Sequence, residues 1–327
     1  MMSRSRIKNK KRFILFIFVL IISTFAISFT VNDLRKNNVT QAEAVTNNTN
    51  SNNNNSNQNK SDSSSDNQEN IDDENEFTEE NQNNVDTNVL DNSEYLSLEQ
   101  DPNADDASKV LPETMYKWNF YREDNKKIAY LTFDDGPSEH STEKILDILK
   151  ANDIKATFFT LGSSIEKNNE SEKLLKRMAK EGHSIGSHGY SHDYHLLYPN
   201  RTVDVDSFMK DFEKNDKILK EILGKDFSTR LIRMPGGHAS WNGTEHLDGV
   251  LENKGIFQVD WNALNGDAEG RDFPKEYLLN KLKETVGSQD VIIVLMHDTD
   301  AKKGTVEYLQ SAIDYLKLEG FEFRTLK

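Results

Sequence analysis

Two adjacent carboxylates, Asp134 and Asp135, follow the apolar run Ile128 to Phe133 and precede a Gly136-Pro137 pair. Neighbouring acids at a strand end are costly to keep ionised together unless a cation or an arginine stands close by, so the pair asks for a positive partner. Candidates lie further along the chain. His188 and His192 are four residues apart, a spacing that brings two imidazoles to one side of a helical turn and suits a divalent metal, although such a pair alone is weak evidence. His195 can be read as a third ligand or as an ordinary surface histidine. Arg233 opens the stretch Arg233-Met234-Pro235-Gly236-Gly237, Asp267 follows an apolar run ending at Trp261, and His297-Asp298 close the run Val291 to Met296. Two histidines and one carboxylate with open positions form the chemically complete version of such a site, because a metal that activates water must keep a position unfilled. Asp135 can supply that carboxylate, which leaves Asp134 free as a base.

The elements that must position these groups are legible as periodicity. Short apolar runs rich in β-branched and aromatic residues predict strands at Ile128 to Phe133, Ala156 to Leu161, Ser184 to Ser187, Leu231 to Arg233, Ile256 to Trp261, Val291 to Met296 and Glu322 to Thr325. Helical patterns fall between them, near Thr142 to Ala151, Glu170 to Glu181, Asp204 to Leu223, Thr244 to Lys254, Pro274 to Val286 and Thr305 to Glu319. This alternation predicts an α/β fold, with β-α units of about seven strands around a mainly parallel sheet or barrel. Each polar cluster falls at the carboxyl end of a strand, the end where the loops of a parallel barrel converge on one mouth.

Ahead of this region the composition changes. The first twelve residues hold six basic groups and no acid, and Phe13 to Phe29 is a run of 17 apolar or small residues. That pattern predicts residues 1–32 as a cytoplasmic basic segment plus a signal-anchor or transmembrane helix, with the catalytic domain outside the cell membrane; secretion after signal cleavage is the alternative. Residues 33–108 are rich in Asn, Ser, Asp and Glu and predict a disordered linker. Ser61 to Ser108 holds 16 acids and no Lys or Arg, so one segment carries most of the net charge of −15. The remaining 109–327 form the predicted catalytic domain. Its mild acidity gives no support to a nucleic-acid partner, and no obligate protein partner is evident. The chain has no cysteine, so its stability rests on packing.

Taken together, the motifs resemble the polysaccharide deacetylase family, the carbohydrate esterases that share the NodB homology domain, and the resemblance implies an irregular (β/α) barrel of about seven strands, of NodB type. The hexapeptide Thr132-Phe133-Asp134-Asp135-Gly136-Pro137 is the family's first motif unaltered, and the other four follow in order from about Asn125 to the C-terminus. The resemblance implies Asp134 as general base, and Asp135, His188 and His192 as ligands of a divalent metal, Zn²⁺ foremost, with Co²⁺ or another ion as alternatives. It implies that Arg233 pairs with Asp134, that Asp267 buttresses the acid His297, and that Leu295 lines a pocket for the acetyl methyl. Pro235, Gly236, Gly237 and Trp261 are the implied substrate-binding residues.

Three positions depart from the family pattern. Gly189 stands where Ser or Thr usually follows the first metal histidine, Gly236 where an aromatic is common, and Ala268 where a Trp usually follows the Asp. The last two predict a more open groove that relies on Trp241 or Trp261 for an aromatic face. The expected activity is removal of N-acetyl groups from N-acetylglucosamine in cell-wall peptidoglycan, a substrate chosen because an anchored domain would meet the wall first. N-acetylmuramic acid, chitin oligosaccharides, poly-N-acetylglucosamine and O-acetyl xylan are alternatives, and a catalytically silent glycan-binding module is the reading from another class.

Overall fold

The computed structural model describes residues 101–270 and 273–327, in which strands and helices alternate as the periodicity predicts. The first half contains β1 (Ala104–Asp105), α1 (Ala107–Leu111), β2 (Lys127–Asp134), α2 (Ser141–Ala151), β3 (Thr157–Thr160), α3 (Gly162–Ile165), α4 (Asn169–Lys180), β4 (Ser184–Ser187) and α5 (Tyr194–Leu197). The second half contains α6 (Val205–Leu223), β5 (Leu231–Ile232), α7 (Thr244–Asn253), β6 (Phe257–Gln258), β7 (Ala263–Leu264), α8 (Lys275–Val286), β8 (Val291–His297), α9 (Lys303–Leu318), β9 (Phe321–Phe323) and β10 (Thr325–Leu326). Seven strands pair in the order β6-β5-β4-β3-β2-β8-β7; β9 also pairs with β2, and β1 pairs separately with β10. Every pairing in the large sheet is parallel.

The period of two along each strand decides what reaches the mouth. On β2, Ala129, Leu131 and Phe133 face the helices in the larger core cluster, while Ile128 and Tyr130 belong to a second cluster on the other face. Thr132 and Asp134 continue that second face towards the carboxyl end. On β8 the split is the same: Ile292, Val294 and Met296 pack under the helices, Val291 and Ile293 lie opposite, and Leu295 and His297 extend their row. Continuing β4 and β5 by the same count places His188 and Arg233 on the face of Leu231 and Phe159. The inner face is therefore apolar at its amino end and chemical at its carboxyl end. Full burial of each large apolar side chain in these rows contributes roughly 1.5–3 kcal/mol, which fixes the register on which the polar row depends.

Two expectations are corrected. The barrel is an open half-barrel, because β6 and β7 lie at opposite edges of the sheet and do not pair. The single strand expected over Ile256 to Trp261 is only the two residues of β6, and the chain crosses to the other edge before β7. Asn262 makes that crossing with its side chain: Nδ2 donates to the Val291 carbonyl at 2.7 Å, and Oδ1 accepts from the Ile293 N–H at 2.6 Å. These bonds occupy backbone groups of β8 that a longer neighbouring strand would have used.

The expected membrane-spanning helix is the second correction. No helix among the described residues is long and apolar enough to cross a membrane. The longest of them, α6 with 19 residues, alternates charged residues with its buried Phe208, Phe212 and Leu219 and so packs by one face only. Phe13 to Phe29, on which the expectation rested, lies outside the described residues, as does the expected linker up to residue 100, whereas residues 101–108 of that expected linker carry β1 and the start of α1; the single-pass topology, membrane partner and extracellular placement built on the apolar run are not carried forward.

Candidate active site

Asp134 ends β2 and is almost fully buried. Arg233, just past β5, reaches it with Nη1 at 2.8 Å from Oδ1 and 2.7 Å from the Thr132 hydroxyl. The guanidinium is itself buried, donates through Nε to the Val259 carbonyl at 2.8 Å, and lies 4.3 Å from the Phe159 ring centroid. A charge in such a place is tolerated because its donors are used and its partner is ionised. Burial pushes the Asp134 carboxyl above its ordinary value, against the pull of Arg233 and His297. The outcome is a carboxylate more basic than usual, as a general base requires.

Asp135 is adjacent, yet it does not face away as a strand residue would. Its φ of +76° breaks the alternation and turns its carboxylate to the same side as Asp134. Asp135 Oδ1 lies 3.6 Å from His188 Nε2 and 3.7 Å from His192 Nε2. That oxygen is buried and accepts no hydrogen bond. On the far side of its ring, His188 Nδ1 lies 2.7 Å from the Arg233 carbonyl, which fixes that nitrogen as the donor and leaves the Nε2 lone pair free. Burial, and then His192, push His188 down to about 3, so the ring is neutral.

These three groups form the candidate metal cluster among the described residues, and His195, exposed on α5, is not part of it. Two ligands of a tetrahedral zinc, each about 2.0–2.1 Å from the ion, stand about 3.4 Å apart. The observed separations, the orphaned oxygen and the neutral imidazole therefore fit a divalent cation.

Three residues without a local sequence signal hold this arrangement. Asp211 of α6 accepts the N–H groups of Tyr190 and Ser191 at 2.7 and 3.1 Å, fixing the loop from His188 to His192. This is why Gly189 is glycine: its φ is +82°, and a Cβ would stand 2.5 Å from Asp211 Oδ2. Asn215, one helical turn on, donates to the Ser187 hydroxyl at 2.8 Å and the Thr160 carbonyl at 2.9 Å. The helix carrying both starts where Asp204 accepts from the Ser207 N–H at 2.9 Å, an ordinary carboxylate cap.

On the other side of the mouth, His297 Nδ1 lies 2.8 Å from Asp267 Oδ1. The second Asp267 oxygen accepts the His297 N–H at 2.9 Å and the Thr305 hydroxyl, the third such residue, at 2.7 Å. Burial works against charge on both partners. Even so, the mutual attraction holds Asp267 below the usual carboxylate range and, with Asp135 and Asp134 adding, lifts His297 to about 9. A positively charged imidazole thus faces a base and a metal cluster. Asp298 faces the Asp135-Gly136 turn instead: Thr142 donates to it at 2.6 Å, and its carboxylate fills the space a Gly136 side chain would need. Burial, aided by Asp135, pushes it up to about 7 despite the Thr142 bond.

The Arg233–Gly237 stretch lines the mouth. Gly236 and Gly237 have φ of +80° and +79°, and a Cβ on Gly237 would stand 2.6 Å from the Trp261 ring. Trp261 is half-buried and packs over this turn. Trp241 does not supply the expected open face: it is 8% exposed, stacks on Tyr198 at 4.0 Å and donates to the Pro235 carbonyl at 2.9 Å. Tyr194, in contrast, is 38% exposed, and burial of its hydroxyl end, with Asp135 and Asp134, pushes its phenol up and keeps it protonated. Leu295 is buried one turn of the alternation below His297.

The polysaccharide deacetylase family pattern matches residues 121–247. Over 239 residues the chain is 33% identical to a peptidoglycan-N-acetylglucosamine deacetylase of Bacillus cereus, the match covering 68% of this chain and 76% of that one. A solved Streptococcus mutans CE4 esterase aligns with a TM-score of 0.62 at 37% identity, covering 68% of this chain and 92% of the other. The catalytic domain of peptidoglycan N-acetylglucosamine deacetylase from Eubacterium rectale aligns with a TM-score of 0.55 at 28% identity, covering 63% and 91%.

Proposed function

The chain belongs to the polysaccharide deacetylase family, and from that premise we propose that it hydrolyses the N-acetyl groups of N-acetylglucosamine in cell-wall peptidoglycan. The observation that carries this reading is one mouth holding a His-His-Asp donor set between a buried Asp–Arg pair and a charged His–Asp pair. A glycan-binding module has no use for a base, a metal and an acid together. The choice of sugar draws support from relatives whose names state that substrate.

A divalent ion, zinc by the softness and number of these donors, held by Asp135 Oδ1, His188 Nε2 and His192 Nε2, would polarise the acetamide carbonyl and acidify water. Asp134 takes the proton of the attacking water, and Arg233 keeps its carboxylate aimed at the mouth. The carbonyl carbon gains the water oxygen and its own oxygen becomes an oxyanion. The Gly236 N–H, which donates to no protein group among the described residues, is a donor for it. His297, charged up to about pH 9, passes a proton from Nε2 to the leaving nitrogen while Asp267 holds Nδ1. The C–N bond breaks, giving acetate and a free amine. Leu295 contacts the acetyl methyl, and Pro235, Gly237 and Trp261 border the sugar.

The test is mass spectrometry of muropeptides from wall treated with the zinc-loaded full chain. The expected result is loss of acetyl from N-acetylglucosamine, abolished by chelation. Loss from N-acetylmuramic acid alone would overturn the choice of sugar, and no loss from any wall component would overturn the peptidoglycan reading.

A further inference from the structure

Tyr194 is used by none of the motifs and by no step above. It opens α5, and Asp193 fixes that turn by accepting the N–H groups of His195 and Leu196 at 2.8 and 3.3 Å. The Tyr194 ring is hemmed between two neighbours, 5.0 Å from the His192 ring and 5.1 Å from that of Trp241. What it offers to the mouth is therefore its hydroxyl edge rather than a flat face.

The position of that hydroxyl is set against the oxyanion donor. It stands 3.3 Å from the point a Cβ on Gly236 would occupy, and the Trp241 ring stands 3.0 Å from the same point. A side chain at 236 would press on both by a few tenths of an ångström, on a backbone whose φ of +80° already favours glycine, so the phenol and the Trp241 ring close over this backbone without obstruction. Among the described residues the hydroxyl has no hydrogen-bond partner, and its ring lies beside that of His192, a member of the metal cluster, while the neighbouring Gly236 N–H is also unused. A donor held in place by packing and left unpaired in the protein is arranged for something that arrives with the substrate.

We propose that the Tyr194 hydroxyl is a second donor to the acetamide oxyanion, beside the Gly236 N–H. The proposal rests on the deacetylase reading. It makes Tyr194 a catalytic residue of this chain, and gives the departure to glycine at 236 a purpose: space for a hydroxyl from another loop.

Tyr194→Phe removes the donor and keeps the ring between His192 and Trp241. Because the hydroxyl makes no bond within the protein, zinc content and melting temperature should be unchanged. Loss of one oxyanion donor should lower kcat about 100-fold and leave KM within about threefold. Acetate presents an oxygen to the same donors without any turnover, so its Kd for the zinc-loaded full chain should rise roughly tenfold in Tyr194→Phe. A kcat within threefold of wild type, or a raised KM at unchanged kcat, would overturn the proposal, as would an unaltered acetate Kd. Should the wild-type chain prove inactive on wall, the deacetylase reading fails while the acetate comparison still decides the role of this hydroxyl.

Discussion

Replacing Asp267 with Asn separates the acid half of the site from the rest. In the native protein, burial disfavours charge on His297 and Asp267 outweighs it, so the imidazole rises from its ordinary 6.5 to about 9. That displacement corresponds to roughly 3 kcal/mol in favour of the charged form. Asn leaves the burial in place and removes the main opposing charge, so the pKa falls to 6.5 or below. A bound cation offsets the share contributed by Asp135 and Asp134 and leaves the share of Asp267 intact. At pH 8 the protonated fraction then drops from about nine-tenths to about one-thirtieth, a loss of about 30-fold in the active form. The assay is the pH dependence of kcat for acetate release from the zinc-loaded protein. Wild type should lose activity as the pH rises through about 9, and Asp267→Asn should lose it already as the pH rises through about 6.5 or lower. Linkage supplies a second reading with the same sign. A histidine whose folded pKa is raised adds stability that is fully present below its unfolded pKa and is lost as the pH rises through the folded one. Urea midpoints of the two proteins should therefore differ most between roughly pH 5 and 6.5, and converge above 9. An alkaline limb that stays near 9 in Asp267→Asn would refute the assignment of the lift to Asp267.

Arg233→Met should destabilise the fold by about 3–5 kcal/mol, because it leaves Asp134 buried without its partner; a loss below about 1 kcal/mol by urea titration would count against a paired carboxylate. Gly189→Ala forces a left-handed residue and a Cβ against Asp211, at a cost of about 1–3 kcal/mol, and calorimetry should show weakened zinc binding because the same loop carries His192. Asp134→Asn should keep one zinc per chain while turnover is abolished, whereas His188→Ala should lose both; metal analysis beside the acetate assay distinguishes them, and near-wild-type turnover of Asp134→Asn would remove it as the base.

What the sequence made legible was whatever is written in a local stretch, a continuous apolar run for a buried strand or a helical spacing for an amphipathic helix. The apolar runs Ile128 to Phe133 and Val291 to Met296 located the two central strands and the clusters at their ends. They did not reveal β7, because two residues are too few to show a period and Asn262 replaces ladder bonds with side-chain bonds. One strand was therefore expected over Ile256 to Trp261, where two short strands stand at opposite edges of the sheet. Asp211 and Thr305 were invisible for a different reason. Each acts on a loop about 20 to nearly 40 residues away, with nothing nearby in sequence to mark it. Trp241 was expected to present an aromatic face because its residue type permits that; stacking on Tyr198 and the bond to Pro235 turned it inward. The hydrophobic N-terminal run carried an inference about placement that the described fold does not sustain, since no described helix can span a membrane.

The left-handed backbone at Asp135 bears on how such a site could be transplanted. Two neighbouring carboxylates on a regular strand look to opposite faces and could never serve one ion and one water molecule. A designer grafting the doublet onto another parallel strand would have to specify the hand of the second residue as well as both side chains. The tolerance of Asp and Asn for that conformation makes them the practical choices there, and a β-branched or longer acid would bring the right charge on the wrong backbone. A search by residue type alone would accept many Asp-Asp strand ends; filtering by a positive φ at the second position would keep those able to aim both carboxylates at one point.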